Sequence, residues 1–329
     1  ENGFQNDKLP LLFNENVNAK IAIKTATGKT KPMLLSDIIM QGTVWGSLFC
    51  TSTMDKLGKQ VYNMPEMCYN YKGVVVPPLG MVDDIITVTN VKETGGMNQL
   101  INTFMESKKL GLSKDKCYHI HIGKGHDNCP DLAVHDSKMK EAEKEKYLGD
   151  IIDSTGNLEA TIESRRKKGD GIISEILSII NEIPLGKYKV EVALRLREAM
   201  LINGILFNSE AWHGVTAAQI AKLEKIDEDL LRGILKAHRK TPSEFLHLET
   251  GTLPIRFILA QRRINYLKHI LSRDSEELIR KVYSAQKEDP TNGDFAKLVT
   301  KDLELLGFTE AELLSNNISK LKLKISATN

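Results

Sequence analysis

The sequence lacks the usual features of secreted and membrane-spanning proteins. Its four cysteines are Cys50, Cys68, Cys117 and Cys129, and none belongs to a Cys-x-x-Cys pair, so no disulfide framework is indicated. It has no signal peptide and no apolar run of membrane-spanning length. We therefore expect a protein of a reducing, intracellular setting, nucleus or cytoplasm, with no membrane partner.

The sequence also lacks a strong charge of either sign. Its net charge is only +2 over 329 residues, so any surface for nucleic acid must come from an uneven distribution of cations. The composition is ordinary, with 27% charged and 41% apolar residues, and the length suffices for two or three compact units. The chain opens at Glu1-Asn2-Gly3 without an initiator methionine, from which we expect a fragment.

Two adjacent carboxylates, Asp83 and Asp84, lie between short apolar runs of β type. This pattern predicts a β-hairpin over residues 74–89, with the pair at or next to its turn and facing a helix that begins near Gly46. Adjacent like charges are accommodated where a divalent cation or a basic partner neutralises both, and carboxylates suit Mg²⁺ bound together with substrate phosphates. The alternative is a solvated turn, because turns favour Asp for local backbone reasons.

Hydrophobic periodicity divides the chain into a mixed first region and a helical remainder. Helices are predicted over residues 48–61 and 97–109, and strict alternation over residues 118–122 predicts a strand. Residues 124–146 are predicted to be a loop or a solvated insertion, and the chain beyond Gly156 is predicted to be helical. Helices against a small antiparallel sheet, followed by helices alone, define an α+β protein.

Several histidines and a cysteine raise the question of a zinc site. The residues are His119, His121, His126, Cys129 and His135. Imidazole and thiolate are suitable ligands, but Cys129 has no partner two to four residues away. We expect histidines on the surface of a strand rather than a metal site.

Five short motifs follow one another along the chain. They are residues 40–49 with Gln41-Gly42, Gly80-Met81-Val82-Asp83-Asp84, residues 110–117 with Lys116, residues 147–152 beginning with Tyr147-Leu148-Gly149, and Asn208-Ser209-Glu210-Ala211-Trp212. In this order and spacing they resemble the Gln-Gly segment, the aromatic-x-Asp-Asp hairpin, the lysine-ended helix-to-strand segment, the primer-grip hairpin and the thumb end of a reverse transcriptase. The resemblance is to the non-LTR (LINE-like) retrotransposon type and covers most of residues 15–273.

The resemblance implies an architecture and an activity. Residues 1–152 would be a partial polymerase palm with part of the fingers, residues 153–214 the thumb helices, and residues 215–273 a helical linker. Residues 274–329 lie beyond the resemblance, and their sequence pattern predicts a small, partly detached helical tail. The activity would be RNA-directed DNA polymerisation on an RNA template with a DNA primer and deoxynucleotides. Two Mg²⁺ ions about 4 Å apart would support the transfer.

The resemblance also assigns roles to individual residues. Asp83 would be the principal metal ligand with Asp84 beside it, and Lys116 would lie near the departing pyrophosphate. Gln41 and Gly42 would form a wall against the template–nucleotide pair. The primer end would bind at Tyr147, Leu148 and Gly149. Backbone phosphates would be contacted by Arg165, Arg166, Lys167 and Lys168.

Two departures from the family pattern leave alternatives open. Met81 replaces the aromatic residue of the family hairpin, and the family's upstream catalytic aspartate has no counterpart, since Asp7 lies in a polar segment. The resemblance therefore implies an enzyme, while this chain alone is expected to be inactive. The alternatives are a non-catalytic nucleic-acid-binding or structural remnant and a group II intron maturase, and Trp212 with the helical linker after it disfavours the maturase.

Overall fold

The structure is a computed structural model that describes residues 20–34, 44–123, 129–184 and 186–314. Helices and short strands alternate in the first part of the described chain, and helices follow. This is the α+β class that the sequence predicts. Among the described residues, no helix combines the length and the apolar character needed to cross a membrane.

The chain divides into two compact units. The N-terminal unit comprises residues 1–71, 75–117 and 127–139, and the C-terminal unit comprises residues 72–74, 118–126 and 140–329. The chain belongs to the C-terminal unit continuously from residue 140, which is before the predicted boundary at residue 152. The predicted thumb, linker and tail all belong to this unit. The four-segment division therefore stays a prediction about family architecture.

The N-terminal unit is built on two helices, α1 (Val44–Tyr62) and α2 (Val91–Ser107). Their apolar faces meet in a small core that consists of Leu57, Val61, Cys68, Met97, Phe104 and Met105. Helix α2 begins six residues before the predicted start, because it accommodates Gly95 and Gly96 in its second turn. A Cβ at Gly96 would lie 3.0 Å from Cε of Met67, so close packing compensates the low helix propensity of glycine.

The strands are short and paired two by two. Their bounds are β1 Lys20–Ile21, β2 Lys24–Thr25, β3 Gly28–Lys29, β4 Met33–Leu34, β5 Tyr69–Tyr71, β6 Val74–Val76, β7 Leu79–Met81, β8 Asp84–Ile86, β9 Tyr118–His119, β10 Ala133–Val134, β11 Ser137–Lys138, β12 Lys140–Glu141, β13 Lys144–Tyr147 and β14 Asp150–Asp153. The antiparallel pairs are β1–β4, β2–β3, β7–β8, β10–β11 and β13–β14. Strand β5 pairs with β6, and β9 with β12 is a parallel pair.

Three predictions about the strands need correction. The described strands form separate two-stranded ladders and not one small antiparallel sheet. Val74–Val76 pairs with the strand before it, so the aspartate hairpin covers residues 79–86 and not 74–89. Residues 129–146, predicted as a loop or insertion, contain β10 to β12 and most of β13. Alternation of exposed charged and half-buried residues in Lys144–Tyr147 is the pattern of a strand with one solvated face.

The C-terminal unit is mainly helical. Its helices are α3 Glu159–Asn181, α4 Lys187–Leu196, α5 Asn203–Ile205, α6 Ala217–Leu235, α7 Ser243–Thr250, α8 Ile255–Leu271, α9 Leu278–Glu288, α10 Phe295–Leu306 and α11 Glu310–Leu314. A π-helical stretch, Arg197–Ile202, joins α4 to α5. The predicted tail is not detached as far as it is described, because Tyr283, Val299 and Leu303 pack in one apolar cluster with Ile264 and Leu267 of α8.

The main core of this unit contains α3, α6 and the segment around the π-helical stretch. Ile162, Ile176, Leu201, Leu223 and Leu230 are among its fully buried members. At about 25 cal/mol per Å² of apolar surface removed from water, burying such side chains stabilises the fold by roughly 1.5–3 kcal/mol each. This core supports the helix that carries the predicted phosphate-binding cations.

Two bidentate ion pairs lie inside the same unit. Arg197 donates from Nε and Nη2 to the two carboxylate oxygens of Asp227, both at 2.6 Å. Arg263 donates likewise to Asp302, at 2.5 and 2.9 Å. All four residues are at most 7% exposed, and breaking a buried pair of this kind leaves an uncompensated charge.

Candidate functional site

The β7–β8 hairpin places the carboxylate pair at its turn. Met81 and Asp84 are opposite each other in the register, which leaves Val82 and Asp83 as a two-residue loop. Val82 has a φ of 61°, a value that a two-residue hairpin needs at its first central position. For a β-branched residue this conformation is an outlier, with a cost on the order of 1–3 kcal/mol. The turn therefore contains a strained residue immediately before Asp83.

The tip of this hairpin lies against helix α1. The Cys50 thiol donates a hydrogen bond to the Val82 carbonyl oxygen at 3.3 Å. Partial burial raises the pKa of Cys50, and the negative charge of Asp83 raises it further. Asp83 and Asp84 themselves are exposed. The structure thus confirms a hairpin with the pair at its turn and a helix that this turn faces, with the hairpin over residues 79–86 and not 74–89.

Two exposed carboxylates are the right donors for Mg²⁺ but do not by themselves complete a two-metal site. Within the described part of the chain, Asp83 and Asp84 belong to no group of three His, Cys, Asp or Glu residues whose ligand atoms all lie within 4.8 Å of one another. Gln41 and Gly42, predicted to form the nucleotide wall, lie outside the described residues, as does Asp7. Lys116 is exposed, and its backbone N–H donates to Ser113 at 3.1 Å in a turn after α2.

The predicted primer grip is a second hairpin, formed by β13 and β14 in the C-terminal unit. Tyr147 and Asp150 are opposite each other, and Leu148 and Gly149 form the loop. Both loop residues have positive φ, 45° and 98° respectively, which is the type I′ turn that matches strand twist. Leu148 is 44% exposed, so an apolar side chain projects from the turn.

Arg165 of α3 donates hydrogen bonds to this turn. Its Nη2 donates to the Gly149 carbonyl oxygen at 2.9 Å, to Oδ1 of Asp150 at 2.7 Å, and to the Phe207 carbonyl oxygen at 3.4 Å. Its guanidinium carbon lies 5.5 Å from the centre of the Phe207 ring, within cation–π range. Gly149 fits under the same ring, because a Cβ there would lie 2.9 Å from Cε1 of Phe207.

The motif Asn208-Ser209-Glu210-Ala211-Trp212 contacts the Tyr147-Leu148-Gly149 turn. Asn208 donates from Nδ2 to the Leu148 carbonyl oxygen at 3.0 Å, although 60 residues separate the two. Asn208 has a φ of 60°, a left-handed conformation that Asn tolerates better than most residues. Trp212, at the end of the same motif, is 2% exposed and anchors it in the core. The sequence gives no signal for the contact itself, since it depends on how α3 and the π-helical stretch pack.

The structure separates the four cations of α3 that were expected to contact phosphates. Arg165 is 7% exposed, and its Nη2 donates to Gly149 and Asp150 of the hairpin, so this side chain holds the turn and is not presented to solvent for phosphate contacts. Arg166 pairs with Glu163 at 2.8 Å and with Asp170 at 3.0 Å. Lys167 and Lys168 are exposed. Four consecutive positions cover a full helical turn, so they cannot share one face.

Comparison with models of known protein families finds no match for this chain, and comparison with curated proteins finds none either. The resemblance to reverse transcriptases therefore depends on the five motifs and on the arrangement that the structure gives to those it describes.

Proposed function

We propose that this chain is part of an RNA-directed DNA polymerase of the non-LTR retrotransposon type. The observation that carries the proposal is the β7–β8 hairpin, which presents Asp83 and Asp84 to solvent from a strained two-residue turn. Strained backbone is concentrated at functional sites, where the fold must hold a side chain in a required position. Any two-residue hairpin needs positive φ at this position, but a turn without further constraint usually has Gly, Asn or Asp there, whereas this turn has the β-branched Val82.

A second observation supports the proposal independently. The Tyr147-Leu148-Gly149 turn and the segment ending at Trp212 resemble consecutive elements of the family, and Asn208 and Arg165 join them by direct hydrogen bonds. An accidental match of short motifs gives no reason for two of them, 60 residues apart, to meet. In the proposed enzyme, Arg165 would fix the turn that seats the primer end.

Asp83 and Asp84 would hold Mg²⁺ in the assembled site. The metal would supply activation of the primer hydroxyl and neutralisation of charge on the transferred phosphate. The contribution of this chain would be positioning, since such transfers depend mainly on geometry and electrostatics. The third carboxylate would come from a segment outside residues 1–329.

The second candidate is a non-catalytic nucleic-acid-binding remnant of such an enzyme. The observation that favours it is the incomplete carboxylate set in the described residues, together with Met81 in place of the family's aromatic residue. Both candidates predict binding to an RNA–DNA hybrid, and only the first predicts polymerisation.

Primer extension on an RNA template separates the two candidates. We expect no Mg²⁺-dependent product from residues 1–329, and a product once an upstream segment with the missing aspartate is restored. Asp83→Asn should reduce that product by at least about a thousandfold, since it removes a metal ligand. Asp136→Asn is the matched control, because Asp136 is also the exposed second residue of a two-residue hairpin loop, after His135 at φ 50°. Equal activity of the two variants would contradict the proposed role of Asp83.

Hybrid binding by residues 1–329 tests the part that both candidates share. Lys167→Gln with Lys168→Gln should lower the slope of log affinity against log salt by up to about 1.8, since each lost phosphate contact contributes about 0.7–0.9. Lys225→Gln with Lys236→Gln removes the same charge from two exposed positions of the same unit, one in and one after α6, and should leave the slope closer to its original value. If both double variants change the slope equally, Lys167 and Lys168 contribute no more to hybrid binding than other exposed lysines do.

A further inference from the structure

Two histidines and a glutamate come together on one edge of the C-terminal unit. Strands β9 and β12 run parallel, with His119 opposite Glu141 in the register. The backbone N–H of Ala142 donates to the His119 carbonyl oxygen at 3.0 Å and continues the ladder. His121 lies two residues beyond His119, so in an extended chain its side chain projects from the same face. Three ligand-type side chains therefore come together at the end of a two-stranded ladder.

The distances within this group suit a metal ion. One ligand atom from each of the three residues lies within 4.8 Å of the other two. Nδ1 of His121 is 2.9 Å from Oε1 of Glu141, and the two imidazole rings are perpendicular with centroids 5.3 Å apart. Ligands at 2.0–2.2 Å around tetrahedral zinc are about 3.3 Å from one another. Side-chain rotations that change the separations by about 1–1.5 Å would close the group around an ion.

We infer that His119, His121 and Glu141 form a site for a divalent transition-metal ion, with Zn²⁺ as the best fit. Two imidazoles and one carboxylate are a borderline donor set that Zn²⁺ accepts, whereas Mg²⁺ and Ca²⁺ require oxygen ligands. The His121 side chain is 16% exposed and that of Glu141 is 65% exposed. Three protein ligands with an open side leave the fourth position to water or to an exogenous group.

His119 distinguishes this site from a simple ion pair. The hydrogen bond between His121 and Glu141 accounts for those two residues without any metal. A metal site, unlike this ion pair, also uses the imidazole of His119, which has a ligand atom within 4.8 Å of those of His121 and Glu141. If the group is a metal site, removing His119 must weaken metal binding as much as removing His121 does.

The test is zinc binding by the full chain after treatment with a chelator. Calorimetry should show one Zn²⁺ per chain, and Co²⁺ should give the intense visible absorption of a tetrahedral site without a thiolate charge-transfer band. His119→Gln, His121→Gln and Glu141→Gln should each weaken binding at least about tenfold. His238→Gln and Glu249→Gln change exposed residues of the same types elsewhere in the unit and should bind Zn²⁺ like the original chain.

Four outcomes would overturn the inference. They are no stoichiometric zinc binding, equal affinity in His119→Gln and His238→Gln, a thiolate band, or loss of binding on Cys117→Ser. The apo variants are compared by circular dichroism, so that misfolding is recognised. Should a variant misfold, imidazole ¹⁵N chemical shifts of the unmodified chain give the answer, since exactly two histidines must change on addition of one equivalent of Zn²⁺.

Discussion

The buried pair of Arg197 and Asp227 should dominate the stability of the C-terminal unit. Asp227→Asn keeps the size of the side chain but removes the negative charge opposite a guanidinium that is 2% exposed. The cation keeps one strong neutral acceptor, the Leu253 carbonyl oxygen at 3.2 Å, and Glu198 lies 3.5 Å away with a side chain 65% exposed. We expect a loss near the lower end of the usual range for a broken buried pair, about 3 kcal/mol.

The chain offers a control two residues away. Arg195 pairs with Glu191 at 2.8 Å, but these side chains are 79% and 54% exposed. Glu191→Gln should cost no more than about 0.5 kcal/mol, since exposed i,i+4 pairs contribute little in water. The contrast isolates burial, because the two arginines lie on the same continuous helical segment and each loses one carboxylate.

Urea unfolding measures the difference. With Trp45 replaced by Phe, tryptophan emission reports Trp212 alone, which is 2% exposed in the core of this unit. The midpoint should fall in Asp227→Asn with an unchanged slope. The double variant Arg197→Met with Asp227→Leu should recover most of the loss, because well-packed apolar residues often replace a buried ion pair without cost. A loss below about 1 kcal/mol in Asp227→Asn would refute the burial argument.

Two further predictions concern the grip hairpin and the response to pH. Gly149→Ala should destabilise the chain by about 2–4 kcal/mol, because Gly149 has a φ of 98° and a Cβ would overlap the Phe207 ring. The control is Gly171→Ala, which should be neutral or stabilising, because Gly171 is exposed in α3 with open space around it. Burial lowers the pKa of His247 below its ordinary value near 6.5 and outweighs the charge of Asp227, which raises it, while the charge of Arg197 lowers it further. The unfolded chain then binds the proton more tightly, so this contribution to stability is present above pH 6.5 and is lost as the pH falls below it. Unfolding midpoints from pH 7 to pH 5 should therefore fall more steeply in the original chain than in His247→Gln, and parallel curves would contradict this.

The features predicted correctly from sequence depend on residues close together in the chain. The hairpin at Asp83 and the helices of both units follow from apolar periodicity. The pairing of Val74–Val76 with Tyr69–Tyr71, which was not predicted, shows where that reasoning was incomplete. Lys72 and Gly73 both have positive φ, 50° and 84°, and an x-Gly loop between Tyr69–Tyr71 and Val74–Val76 is a hairpin signal. The prediction of a hairpin over residues 74–89 missed this signal, and it therefore assigned Val74–Val76 to the aspartate hairpin.

The features that the sequence could not give depend on packing between distant segments. Four consecutive cations on a helix cannot be sorted by sequence, since only the position of the Gly149 turn decides that Arg165 is buried and Lys167 is not. The unusual hydrogen bond from Asn208 to Leu148 has the same origin. Neither residue type reveals its partner, because Arg165 contacts Gly149 across 16 residues of sequence and Asn208 contacts Leu148 across 60.

The proposed metal site shows why a spacing rule can miss ligands that lie across a strand ladder. The sequence argument found His119 and His121 and then set a zinc site aside, because Cys129 has no partner two to four residues away. Glu141 comes 20 residues after His121 and belongs to a charged segment that was predicted to be a loop. The parallel register of β9 and β12 brings it opposite His119. Ligand spacing in sequence thus tests only sites built within one turn or loop, and a site built across a ladder becomes visible only when the pairing of strands is known.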